Sequence, residues 1–421
     1  MNAAWRYLKE RLQSLTHQSS TLVLVSLAHG INHAQAALKP LIYPIVLREF
    51  SVGYGELGVM LGIASALGGL LQLAAGALGT VVRRNLLLGW GNVAVGISVM
   101  IIALAQNFAQ FFLWNVAARV GGAAQHPVGS SLIAHHFHRE RLGLALATHF
   151  SAGNVGTALI PLVAAVLISL WGWRITTALF AIPAILVGLA ICAWLNDPRL
   201  SHEHAPETHN HSFWRHGWEA TANPRLRWIL VASIAAAGGS GHGTISVYIP
   251  LYLTDALGME SSAVGFVFSL LMAGSIVGPL LGGRLVDRFN CQRVVLSAYA
   301  IAAVVTVGFP WAAGQTLLLP IAAFLLGTTS FAVTPILQTV IAQVTEDRTR
   351  DFAFALFYTA AFMAGGIWSP AIGYIAEGVG LGVAFAVMAG SFILAGLCLL
   401  AARLDEMPSG VAPPVHTHGH V

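Results

Sequence analysis

Charge is scarce in this chain: 9% of its 421 residues are Asp, Glu, Lys or Arg, against 56% apolar, and the mean hydropathy is +0.73. A water-soluble protein of this length cannot cover its surface with so few charges, so the composition excludes that class and indicates an integral membrane protein. Acids are absent where a buried proton carrier would normally use one. None occurs from Leu57 to Arg139, from Arg141 to Asn196 or from Ala220 to Thr254, and Glu56, Asp255 and Glu377 fall at the ends of apolar runs. The three cysteines, Cys192, Cys291 and Cys398, each stand alone and mostly in apolar runs, so neither a disulfide framework nor a thiolate metal site is indicated. No phosphate-cradling glycine motif is present, so an ATP-driven pump is not indicated and no cofactor is expected.

What is abundant is hydrocarbon-length sequence. Runs of roughly twenty residues cross about 30 Å of bilayer core, and twelve such runs occur, near 20–47, 56–81, 86–105, 108–137, 141–169, 174–195, 226–253, 262–286, 292–312, 316–344, 352–376 and 381–402. The expected fold class is an all-α membrane protein with twelve transmembrane helices. Residues 1–19, with Arg6, Lys9, Glu10 and Arg11 among Trp5, Leu8, Leu12 and Leu15, read as an interfacial helix and not as a cleaved leader. With that end cytoplasmic, 17 of the 21 Lys and Arg fall in cytoplasmic segments; Lys39, Arg48, Arg119 and Arg174 are the exceptions. Positive residues in short loops stay inside, so both termini are expected in the cytoplasm of a bacterial inner-membrane protein.

The connection 196–224 divides the spans six and six, giving halves at 20–195 and 225–403 and a tail at 404–421. It carries His202, His204, His209, His211 and His216, and the tail carries His416, His418 and His420. No zinc-type spacing is present, so a flexible linker is favoured over a metal sensor. The halves repeat at a displacement of 207 residues, which sets Gly58 on Gly265, Gly76 on Gly283, Leu78 on Leu285 and Thr80 on Asp287, and brings Pro161 near Pro370. Two parallel six-helix repeats are a transporter architecture with the site between them near the midplane.

Gly283-Arg284-Leu285-Val286-Asp287-Arg288, with Arg293 beyond, resembles the loop signature of the major facilitator superfamily, and the resemblance extends from the first span to the twelfth. It implies the major facilitator fold, two pseudo-symmetric six-helix halves, and a gating role for Gly283, Asp287 and Arg288 and for Arg83 and Arg84 in the first-half copy. That copy has Thr80 where the acid belongs. Arg119, followed by Gly121 and Gly122, resembles the family's intramembrane arginine motif with compressed glycine spacing. Within the superfamily the chain looks most like the fosmidomycin-resistance type of efflux permease, on His29 with Asn32, Tyr43-Pro44, His126-Pro127 and Gly153-Asn154-Val155-Gly156. Those relatives have Asp where this chain has His33.

Polar groups inside an apolar span are functional candidates by default. His29 and His33 are i and i+4 on one helical face with Asn32 beside them, and Asn32, Gln35 and Lys39 follow on an adjoining face. In the fourth span Arg119 and His126 are seven apart and aligned, and both are expected to face inward. His149, Asn154, His242, Tyr248, Gln338 and Tyr358 rank second, since a lone polar side chain in a helical bundle often serves only as an interhelical bonding partner worth under about 1 kcal/mol. Histidine titrates near neutral pH and could carry the proton that no carboxylate is placed to carry. Arg119 and Lys39 would favour phosphonate, phosphate or carboxylate groups. The expected function is alternating-access transport of a small anionic or amphipathic solute by a monomer, not an enzyme, as proton-coupled efflux; the alternatives are proton-coupled uptake and metal handling. The expected partners are the solute, protons and the bilayer, with no nucleic acid.

Overall fold

The computed structural model describes residues 2–137, 139–195, 197, 221–239 and 243–404, and among them it is helical with no strand. The helices are α1 (Asn2–Phe50), α2 (Tyr54–Val81), α3 (Arg84–Ala103), α4 (Phe108–Gly121), α5 (Gln125–His136), α6 (Arg139–Trp194), α7 (Pro224–Ala236), α8 (Thr244–Leu251), α9 (Ser261–Val286), α10 (Cys291–Gly308), α11 (Leu318–Val344), α12 (Asp347–Gly378) and α13 (Leu381–Ala401). Eight of these are long and apolar enough to cross a membrane by length and composition alone. The remaining crossings come from breaks and polar interruptions. Helix α6 reverses at Gly172, whose φ of 75° is open to glycine and strained for other residues, and so makes two crossings. A 3-10 turn at Gly122–Ala124 splits one crossing into α4 and α5. Another at Ala237–Gly239 interrupts the crossing formed by α7 and α8. With α1 this makes twelve, in two six-helix halves. Large apolar side chains such as Leu113, Leu159, Val304, Ile367 and Leu397 are exposed, as a lipid-facing surface requires.

The helix expected to be separate at 1–19 runs into the first crossing without a backbone break. Two contact points between the halves are glycines that the repeat sets in equivalent positions. Gly58 of α2 lies against the Ser369 carbonyl and Pro370 of α12, and Gly265 of α9 lies against Ala165 and the Pro161 carbonyl of α6. The repeat therefore pairs Gly58 with Gly265 and Pro370 with Pro161 around a pseudo-twofold axis. Small residues allow backbones to meet this closely where no hydrophobic force pulls helices together in lipid.

The contact between α2 and α12 is one-sided along the axis. It runs from Gly53, Gly55, Gly58 and Gly62 to Ser65 and Gly69, with Ser65 Oγ donating to the Phe362 carbonyl at 2.8 Å. Beyond Gly69, a Cβ added at Gly76 or Gly79 would come near Pro127 or Val128 of the same half, and one added at Gly283 would meet no described atom within 4 Å. Along the described contacts of α2 with α12, the halves are thus closed at the end opposite the termini and splayed at the end that carries them.

Candidate functional site

A close crossing of α1 and α6 builds the centre of the first half. Gly156 lies against the Gly30 carbonyl, Gly30 against the Ala152 carbonyl, and Gly153 against the imidazoles of His29 and His33. With no side chain at 153, the His29 ring sits 4.3 Å from that of His149 and 4.5 Å from that of His33. After the 3-10 turn, the first turn of α5 brings His126 to 5.1 Å from His29 and 6.1 Å from His33. Four imidazoles from three helices form one cluster. His29 is 1% and His149 0% exposed, whereas His126 is accessible. Nδ1 of His29 and both ring nitrogens of His149 have no hydrogen-bond partner among the described residues. His33 Nδ1 lies 2.9 Å from the Thr157 hydroxyl.

Next to this cluster, Lys39, Tyr43, Arg119 and His126 lie within electrostatic reach of one another through Arg119. Arg119 packs its alkyl chain against Gly68 of α2. Asn32 lies beside Gly122 at the 3-10 turn, and Gly121 and Gly91 interlock α4 with α3.

The four cations that broke the expected charge asymmetry now separate into two kinds. Arg174 pairs with Glu49 at 2.6 Å, donates to the Ala105 carbonyl and stacks on Trp173 at 4.3 Å. Arg48 faces Asp255 at 3.9 Å. Lys39 and Arg119 have no ion-pair partner among the described residues.

Other predicted residues lie elsewhere. Gln35 is 3% exposed and donates from Nε2 to the Phe180 carbonyl at 2.8 Å, which ties α1 to the second arm of α6. Gln125 likewise faces α3, accepting from Asn92 at 3.2 Å. Tyr248 is fully buried in α8, with its hydroxyl unpartnered among the described residues. Asn154 is half-buried on α6 beside the cluster's Gly153. Gln338 donates to the Tyr358 hydroxyl at 2.7 Å on accessible faces of α11 and α12. His242 and the histidines of the linker and tail lie outside the described residues. Among those described, no group of three or more His, Cys, Asp or Glu could hold a metal ion.

Of the expected gating residues, Arg84 is a within-half brace. Its amide donates to Asp197 at 2.8 Å and its guanidinium to the Ser131 carbonyl. Arg83, Asp287 and Arg288 are exposed at the splayed end, and Asp287 has no ion pair among the described residues. The residues that join the halves were not singled out from the sequence. At the closed end, Tyr54 of α2 donates to Asp255 Oδ2 at 2.9 Å, and the Gly55 amide donates to Glu377 Oε2 at 2.8 Å. Glu56 caps α2 by accepting from the Gly53 amide at 2.9 Å. The one available signal was that these acids fall at span ends; their partners are 201 and 322 residues away.

A family model matches this chain over most of its length. The Major Facilitator Superfamily model covers residues 25–331 and 239–418. The chain belongs to that superfamily. It is a multi-pass membrane transporter of small molecules and not an enzyme. It is 25% identical over 377 residues to the fosmidomycin resistance protein of Escherichia coli K12, covering 87% of this chain and 88% of that one. It is 22% identical over 298 residues to the probable nitrate transporter NarT of Staphylococcus epidermidis, covering 70% and 71%. Among solved structures, a bacterial homologue of the human lysosomal transporter Spinster, inward-facing and unoccupied, superposes with a TM-score of 0.74 over 92% of this chain and 97% of that one at 16% identity.

Proposed function

We propose that this transporter carries a small anionic solute together with a proton, by rocking of the halves 20–195 and 225–403 about a site formed by Lys39, Arg119 and the cluster of His29, His33, His126 and His149. The observation that carries this reading is the pair of cations without acid partners beside imidazoles in an interior free of carboxylates. A cation at membrane depth costs at least about 2.5–3.5 kcal/mol unless water or an anion meets it. A bound oxyanion would offset that cost, and Arg119 offers it a bidentate fork.

The direction follows from the sign of the interaction. An imidazolium attracts an anion, so proton and anion bind together, and linkage makes the effect reciprocal. Co-movement down an inward proton gradient is uptake. Exchange in opposite directions needs a solute that displaces the proton, which suits a neutral or cationic amphipath. The likeness to a resistance protein supports that second reading, efflux by antiport.

The charge asymmetry of the loops supports placing both termini in the cytoplasm and the chain in a bacterial inner membrane. The splayed end then faces inward, and Arg48, Tyr54, Asp255 and Glu377 latch the outward end. A single chain contains the whole site, so it is proposed to act as a monomer.

The test uses the full chain in liposomes loaded with a pH-sensitive dye, challenged in turn with inorganic phosphate, methylphosphonate, acetate and nitrate. The expected result is inward proton flux triggered by one of these anions. Lys39→Gln and Arg119→Gln should weaken the apparent affinity about 10- to 100-fold, the loss expected for one charge-assisted bond. Loss of pH dependence is expected in His29→Gln and His126→Gln. Unaltered pH dependence in both histidine variants would refute the imidazole mechanism, and proton exit on solute addition would select antiport.

A further inference from the structure

The hydrogen bonds around His33 determine which of its nitrogens is basic. Thr157 Oγ1 lies 3.0 Å from the Gly153 carbonyl, a group that can only accept, so the single hydroxyl proton is committed there. Toward His33 Nδ1, 2.9 Å away, the same oxygen can therefore act only as an acceptor. The ring must supply that proton from Nδ1. Its basic nitrogen is then Nε2.

We propose that Thr157 is a positioning residue that holds neutral His33 in the Nδ1–H tautomer, so that His33 gains and loses its working proton at Nε2 without letting go of α6. The functional use of this tautomer rests on the reading of the histidines as the proton site; the tautomer itself rests only on the two bonds. The rings placed against it are His29 on its own helix, at 4.5 Å, and His126 of α5, at 6.1 Å. The bond also spans 124 residues between α1 and α6, beside the crossing where Gly153 and Gly156 leave no room for adjustment. Protonation at Nε2 keeps the Nδ1–H donor in place, because imidazolium carries protons on both nitrogens. The charge on the cluster can thus change while the α1–α6 contact stays fixed, as rigid-body motion of the half requires.

The experiment is nitrogen-15 NMR of the full-length protein labelled at histidine, in lipid nanodiscs, with the His33 signals identified by their loss in His33→Gln. The wild type should show a protonated Nδ1 and a bare Nε2 above the titration range of the ring. Thr157→Ser, which keeps the hydroxyl, should give the same spectrum. Thr157→Val should give a mixture of tautomers. A wild-type ring protonated at Nε2 would overturn the proposal, and so would a Thr157→Val spectrum indistinguishable from wild type. Should Thr157→Val fail to fold, the wild-type spectrum and Thr157→Ser still decide. If the tautomer is as expected but His33→Gln leaves pH-dependent anion flux intact, the proton-site reading falls while the positioning of the ring stands.

Discussion

Replacing Gly58 by Val acts on the closed end alone. A Cβ at residue 58 would lie well inside contact distance of the Ser369 carbonyl and 3.0 Å from Pro370 Cα. Ordinary carbon contacts sit near 3.5–4.0 Å, so α2 and α12 must part by about 1 Å, and backbone on both sides leaves no flexible side chain to yield. Overpacking of this kind costs about 1–3 kcal/mol. The cost is paid only while the helices touch, which shifts the closed-to-open equilibrium by about 5- to 150-fold. The shift can be read by double electron–electron resonance after Cys192, Cys291 and Cys398 are changed to Ser. Spin labels at Leu104 and Val379, exposed at the closed end on opposite halves, should move to longer distances. Labels at Val81 and Phe289, exposed at the splayed end, should move closer. Gly265→Val, its pseudo-symmetric counterpart against Pro161 and Ala165, should reproduce the shift. Unchanged distances in a protein that has lost a comparable amount of thermal stability would refute the reasoning, because the glycines would then be structural filler and not the moving contact.

Two further outcomes follow. Asp255 lies beyond its apolar span, and burial raises its carboxyl above the ordinary range although the Tyr54 bond and Arg48 pull it down. The closed state therefore binds a proton more tightly than a state with Asp255 in water, so the closed population rises as pH falls from neutral toward the carboxylate range. Asp255→Asn should remove that response in the same spin-label pair, and opening on acidification would contradict it. Gln35→Leu, which deletes the bond to Phe180 and leaves a buried carbonyl without its donor, should lower stability by about 1–3 kcal/mol. Transport per folded molecule should stay at wild-type level, and a specific loss of anion affinity would return Gln35 to the site.

Much of the fold was legible because membrane crossings are written in run length and packing points in small residues. The displacement of 207 residues matched Gly58 with Gly265 and brought Pro161 near Pro370, and these are the places where the halves meet. The meeting of His29, His33 and His126 was also readable, from helical spacing and from polarity without acids. Three things were not. The broad polar face from Asn32 to Lys39 does not reveal which neighbour each side chain meets, as with the bond from Gln35 to the Phe180 carbonyl of α6. The 3-10 turn at Gly122–Ala124, which lies between Arg119 and His126, carries no mark in the helical spacing by which the two were aligned. Bonds such as Thr157 to His33 join residues that nothing local relates.

The absence of interior carboxylates reads as a condition of the proposed site. An acid beside Lys39 or Arg119 would form a buried pair, and an incoming anion would have to separate it at a cost of about 3–5 kcal/mol. Histidine avoids that competition, being neutral when unloaded and attractive to the anion when loaded. The chain instead spends its acids at the closed end, on Arg48, Tyr54 and the Gly55 amide, and on Arg174 nearby. The two cations at that end are thereby neutralised, so they offer no resting place to an anion in transit. On the proposed reading, the fixed positive charge left to attract one is that of Lys39 and Arg119, which have no ion-pair partner among the described residues.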